Sequence, residues 1–94
     1  YMAPERFYNY ISDVTSDIFS LGIVILEIIA GDWPYDTMQP VEQQILSGSY
    51  YHNAQLMLSA LPLRVSSLVL SMIHPSAKKR PNSYSKILRF LQRP

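Results

Sequence analysis

The sequence predicts a mainly α domain, and three observations predict it. The run Thr15 to Gly31 opens on residues that can cap a helix (Thr15, Ser16, Asp17), stays apolar for over three turns and stops at a glycine. Leu61, Val65, Leu68, Val69 and Met72 recur at three and four residues, while Arg64, Ser67 and Ser71 fall between them. Tyr84, Ile87, Leu88 and Leu91 repeat the same spacing at the end of the chain.

The first run organises the rest. Its apolar residues occupy every side, which is the pattern of a helix buried all round. Ile18, Ile23, Val24, Ile25, Ile28 and Ile29 are β-branched and would suit a buried strand, but strands usually run to about 4–8 residues. A membrane span needs about 20 apolar residues, and this run holds Ser20 and Glu27. It reads as the central helix of a domain whose other segments pack around it.

The remaining elements follow in order. Pro4 restricts Ala3 to an extended conformation. Arg6 to Tyr10 reads as a short helix or turn with Phe7, Tyr8 and Tyr10 as packing aromatics, and Ser12-Asp13 as a loop. Asp32 to Asp36 is a rigid aromatic loop. A second helix is expected from about Pro40 to Ser47, ended by Gly48, with Val41, Ile45 and Leu46 as its apolar side. Ser49 to Leu58 has no clear period and reads as an irregular connection with Tyr50 and Tyr51 against the body. A helix over Pro62 to Ile73 is closed by Pro75, and the last helix is capped by Asn82 or Ser83.

Composition bounds the function classes. Ninety-four residues make one domain or part of one. There is no cysteine, which removes a disulfide framework and thiolate zinc sites. No secretory signal or membrane segment is visible, so an intracellular setting, nucleus or cytoplasm, is expected. Tyr1 in place of an initiator methionine suggests a piece of a longer protein. Net charge is +1, yet all seven acids lie between Glu5 and Glu42, and seven of the eight basic residues between Arg64 and Arg93. Such asymmetry can mark an anionic partner. Solvated helix faces, or partners elsewhere in the domain, explain it more simply. Lys78-Lys79-Arg80 is the one basic run and no aromatic platform accompanies it, so no nucleic-acid partner is expected. Gly22, Gly31 and Gly48 form no phosphate-cradling loop. His52 and His74 have no neighbours at metal-ligand spacing.

The motif content lies in Met2-Ala3-Pro4-Glu5. Asp17 stands twelve residues after Glu5, within Ser16-Asp17-Ile18-Phe19-Ser20-Leu21-Gly22. Gly31, Pro34-Tyr35 and finally Arg80-Pro81 follow. In that order and spacing the chain resembles the C-terminal lobe of a eukaryotic protein kinase, from the end of the activation segment to the last helix. The resemblance covers essentially all of residues 1–94, which would be a partial kinase domain. The parent fold would be α+β with two lobes. Met72-Ile73-His74-Pro75 before Arg80-Pro81, with Leu21-Gly22-Ile23 and Leu26-Glu27, is similar to the Wee/Myt kinases that inhibit cyclin-dependent kinases. Phe19 stands where most kinases carry tryptophan, and Ser76-Ala77 departs from the usual Asp-Pro.

The resemblance implies specific roles. Tyr1, Met2 and Ala3 would form the loop that receives the substrate residue after the phosphoacceptor. Glu5 would pair with Arg80. Asp17 would hydrogen-bond the backbone of the catalytic loop, the plainer reading being an N-terminal cap. Glu27 would face the peptide groove, the plainer reading being an exposed or hydrogen-bonded helix acid. The parent would use ATP and Mg2+ to phosphorylate a protein Ser, Thr or Tyr hydroxyl, with a cyclin-dependent kinase as a candidate substrate. The glycine-rich loop, the ATP-contacting lysine, the catalytic aspartate and asparagine and the magnesium aspartate precede this region in a kinase. The 94 residues alone are therefore expected to hold no catalytic, cofactor or metal residue, to be inactive, and to need the N-terminal part of the kinase domain as partner. Two rivals stay open: a pseudokinase scaffold, told apart by the upstream catalytic residues, and an unrelated helical interaction module, which would fold alone.

Overall fold

In the computed structural model the described residues are 1–7 and 14–92. The expectations for Tyr8, Tyr10 and Ser12-Asp13 lie outside them. A 3₁₀ turn over Pro4–Phe7 precedes five α-helices: α1 Val14–Ala30, α2 Val41–Ser47, α3 Ser49–Met57, α4 Leu63–Met72 and α5 Tyr84–Gln92. A second 3₁₀ turn, Ala77–Lys79, lies between α4 and α5. No strand occurs among the described residues.

α1 is the spine, and its closest neighbour is α4. The approach is set by Gly22. A Cβ there would come within 2.7 Å of the Ile73 side chain and 2.9 Å of Met72 Cβ. One core gathers Phe19, Ile23 and Leu26 of α1 with Tyr35, Ile45, Tyr50, Ala54, Leu58, Val69 and Ile73. A smaller one joins Ile18 to Leu68, Met72 and Ile87.

Three expectations are corrected. α1 is not buried all round among the described residues. Ile18, Phe19, Gly22, Ile23 and Leu26 form its buried stripe, while Leu21, Val24 and Ile29 are exposed and Ile28 is 76% exposed. These residues cover one side of the helix only. Ser49 to Met57 is helix, not irregular chain. Its period was obscured because only Tyr50 and Ala54 are buried, a single i, i+4 pair flanked by polar residues. In α5 only Ile87 is buried, and Tyr84, Leu88 and Leu91 are exposed, because α5 lies at the edge with one narrow contact to α1 and α4.

The helix ends follow local chemistry. Gly31 and Gly48 adopt φ of 76° and 82°, the left-handed conformation that a side chain disfavours. α1 begins at Val14, so Ser16 sits inside the first turn with its side chain free to leave the helix and bind elsewhere.

Candidate functional site

The site is built on one face of α1. Ser16, Ser20 and Glu27, three of the five polar residues of a largely apolar helix, are spaced four and seven apart, so they share a stripe. Segment 1–5 lies along that stripe, antiparallel to the helix. The Ser16 hydroxyl donates to Glu5 Oε2 at 2.6 Å. The Ser20 hydroxyl donates to the Tyr1 carbonyl at 2.6 Å. The Tyr1 hydroxyl donates to Glu27 Oε2. Ser16 to Glu27 covers about 16 Å of axis at about 1.5 Å per residue. Four chain steps of up to about 3.6 Å each, plus a tyrosine side chain, span it. Ala3, between the two ends, is fully buried.

At the Glu5 end stands Arg80, with its side chain at 0% exposure against 32% for Glu5. The guanidinium meets the carboxylate as a fork: Nη1 to Oε2 at 2.7 Å and Nη2 to Oε1 at 2.9 Å. Nε donates to the His74 carbonyl at 2.7 Å. The remaining donors reach the Thr15 carbonyl at 3.4 Å and the Pro75 carbonyl at 3.3 Å. All five guanidinium N–H groups are thus engaged, and the cation lies 4.8 Å from the Phe19 ring centroid. Burial pushes the Glu5 carboxyl up, but the hydrogen bonds from Arg80 and Ser16 outweigh it and hold it below its ordinary value. His74 Nδ1 accepts from the Ser76 amide at 2.9 Å. Burial, with Lys79 and Arg80 nearby, lowers its pKa.

At the Tyr1 end the site is open. Tyr1 is 46% exposed and packs edge-on against Trp33 at 5.7 Å. The hydrogen bond to Glu27 holds the phenolic proton and raises its pKa. From Trp33 the aromatics continue inward: Tyr35 at 6.0 Å, Tyr50 at 6.1 Å from Tyr35, and Phe19 at 5.6 Å from Tyr50. This series closes a ring, since Phe19 touches Arg80 and Arg80 holds Glu5.

The structure therefore brings Glu5 to Arg80 and Tyr1 to Glu27, and carries Ala3 inward while Met2 stays exposed. Asp17 is exposed in the first turn of α1. Glu27 accepts from the Tyr1 hydroxyl at the open end of the segment. Sequence reasoning missed the use made of Ser16 and Ser20. Their spacing with Glu27, inside a run otherwise apolar, was the signal that could have found them. Among the described residues no group of three or more His, Cys, Asp or Glu stands together to hold a metal ion. No helix among the described residues is long and apolar enough to cross a membrane. A cavity of about 370 Å³ between α1, α4 and α5 is lined by Ile25, Leu68, Met72, Ile87 and Phe90 among others, and is apolar throughout apart from Arg64.

Comparison with known proteins places this arrangement. Residues 1–91 match the model of the protein tyrosine and serine/threonine kinase family. Over its whole length the chain is 32% identical to mitogen-activated protein kinase kinase 2 of Arabidopsis thaliana, covering 26% of that protein. It is 31% identical to a probable serine/threonine-protein kinase of Dictyostelium discoideum, again over all of this chain and 18% of the relative. With serine/threonine-protein kinase A of Synechocystis the identity is 30%, over 95% of this chain and 18% of the relative. The chain belongs to the protein kinase family, as a helical fragment of the C-terminal lobe. It spans about a fifth to a quarter of the length of these relatives.

Proposed function

We propose that these residues are part of a longer protein kinase that transfers the γ-phosphate of ATP to a protein hydroxyl with Mg2+, inside the cell. The observation that carries this is the clamp on segment 1–5. A buried five-donor arginine fixes one end and a tyrosine–carboxylate contact on the surface fixes the other. A loop held in this way presents Tyr1, Met2 and Ala3 in one geometry to a peptide, which is a positioning role and lowers the entropy cost of bringing reactants together. In this reading Glu27, beside the loop, offers an anionic edge to the peptide groove, and Asp17 supports the catalytic loop of the whole domain. The exposed apolar side of α1 supports the same reading, since Leu21, Val24 and Ile28 are left uncovered by the described residues.

The finer reading is a Wee/Myt-like kinase acting on a cyclin-dependent kinase. Its support is Met72-Ile73-His74-Pro75 followed by Arg80-Pro81. The relatives named above carry the names of other groups.

The test is phosphotransfer from labelled ATP to a peptide panel, run side by side with the full-length protein and the 94-residue chain. Transfer by the former and neither transfer nor saturable ATP binding by the latter is expected. A full-length protein that binds ATP or a partner kinase but transfers nothing is a pseudokinase, and overturns the catalytic reading.

A further inference from the structure

The cavity between α1, α4 and α5 plays no part in the site above. It measures about 370 Å³, within the range of about 300–1,000 Å³ typical of small-molecule sites. Ile25 of α1, Leu68 and Met72 of α4 and Ile87 of α5 give it apolar walls, and Arg64 is the one polar residue lining it among the described residues. An apolar space of this size costs stability when empty, because its lining lacks partner atoms. α5 shows that cost. Ile87 is its one buried residue, and Leu91, which also lines the cavity, is 60% exposed.

Arg64 lies in the first turn of α4 and is partly buried. Its Nη2 donates to the Phe90 carbonyl at 2.6 Å, in the last turn of α5. The guanidinium carbon stands 5.7 Å from the Phe90 ring centroid. These two contacts fix the side chain against the cavity. A guanidinium has five N–H donors, and the rest of those on Arg64 make no hydrogen bond among the described residues. No carboxylate neutralises it there either. The ion pair of the described residues is that of Arg80 with Glu5, and no acid follows Glu42 in the sequence. Arg80 is thus satisfied on every side, whereas Arg64 stands beside apolar walls without an anion.

We propose that this cavity binds a linear alkyl monocarboxylate, a free fatty acid, with its chain between α1, α4 and α5 and its carboxylate on Arg64. Apolar walls reject a sugar or a nucleotide, whose hydroxyls would be buried without partners. An unneutralised guanidinium offers a fork that matches a carboxylate. An acyl chain already joined to a protein as an amide or thioester has no carboxylate, so the free acid is the ligand. Phosphotransfer need not occur for the site to fill.

The test titrates octanoate, decanoate and dodecanoate, each below its micelle concentration, into the full-length protein by calorimetry. One molecule should bind, about fourfold more tightly for each added methylene. Dodecanol and dodecylamine should bind about tenfold more weakly than dodecanoate, since neither meets the guanidinium as an anion. Arg64→Gln should bring dodecanoate down to the level of dodecanol and leave dodecanol unchanged. Val65→Phe, which fills the cavity from α4, should abolish binding of all of them. The headgroup comparison is made on the unaltered protein, so it holds whether or not Val65→Phe folds. Absence of dodecanoate binding overturns the proposal, the space then being filled by the rest of the protein. Equal binding of the acid, the alcohol and the amine overturns it too, since Arg64 then selects nothing.

Discussion

The two ends of segment 1–5 are held by opposite means. At Glu5 the partner is a fully buried guanidinium with every donor engaged. At Tyr1 it is a surface carboxylate reached by a half-exposed phenol. A buried pair is costly to break because removing one partner strands the other charge, whereas a surface pair is screened by water. The first end is therefore costly to break and the second cheap.

The comparison breaks first at Arg80. In the full-length protein Arg80→Ala or Glu5→Ala is expected to cost about 3–5 kcal/mol each by denaturant unfolding, with the double variant far less than additive. Arg80→Lys should also be damaging, since an ammonium has three donors where five are used here, and cannot form the fork. Additive effects would mean that the pair carries no coupling.

Ser16→Ala is the next largest. It removes a hydrogen bond to a carboxylate, worth about 1.5–3 kcal/mol, and should raise the Glu5 pKa because that bond helps hold it down. Carboxyl titration by NMR would read the shift directly, and an unmoved Glu5 would separate Ser16 from the pair.

Acid sharpens the contrast with two stages. His74 has a depressed pKa, so the unfolded chain binds its proton more readily. Its contribution is present above about pH 6.5 and is lost as pH falls through the folded value. Glu5 is also depressed. Its contribution is present above about pH 4.3 and is lost below that as the carboxylate protonates. Stability followed from pH 7.5 downward should show a small loss first and a larger one below pH ~4. His74→Gln should erase only the first.

The smallest expected effect on stability is at the open end. Glu27→Gln keeps an acceptor for Tyr1 and should leave the unfolding midpoint unmoved. Its consequence should appear as a raised KM for peptides carrying a basic residue near the acceptor. A large loss of stability instead would make Glu27 a structural acid like Glu5.

Much of this could be read from the chain itself. Gly31, Gly48 and Pro62 mark helix boundaries because their backbone preferences are local. The 3.6 period in Leu61 to Met72 is likewise local. The Glu5–Arg80 pairing came from motif resemblance, since 75 positions separate the two and no local rule connects them. α3 was missed because a helix held by one buried tyrosine and one alanine carries almost no period.

By itself the sequence determined the ends of most of the helices, α3 excepted, that α1 is largely apolar, and which residue types can fork or cap. Tertiary structure alone decided which side of α1 these residues cover, since an all-round apolar helix encodes no direction. It alone turned Ser16 and Ser20 from helix interruptions into the rungs that hold segment 1–5. It also left Tyr35 with a buried hydroxyl that has no hydrogen-bond partner among the described residues. Each of these depends on where distant residues meet in space, and Gly22 sets that meeting by letting α1 and α4 approach until a single added carbon would not fit.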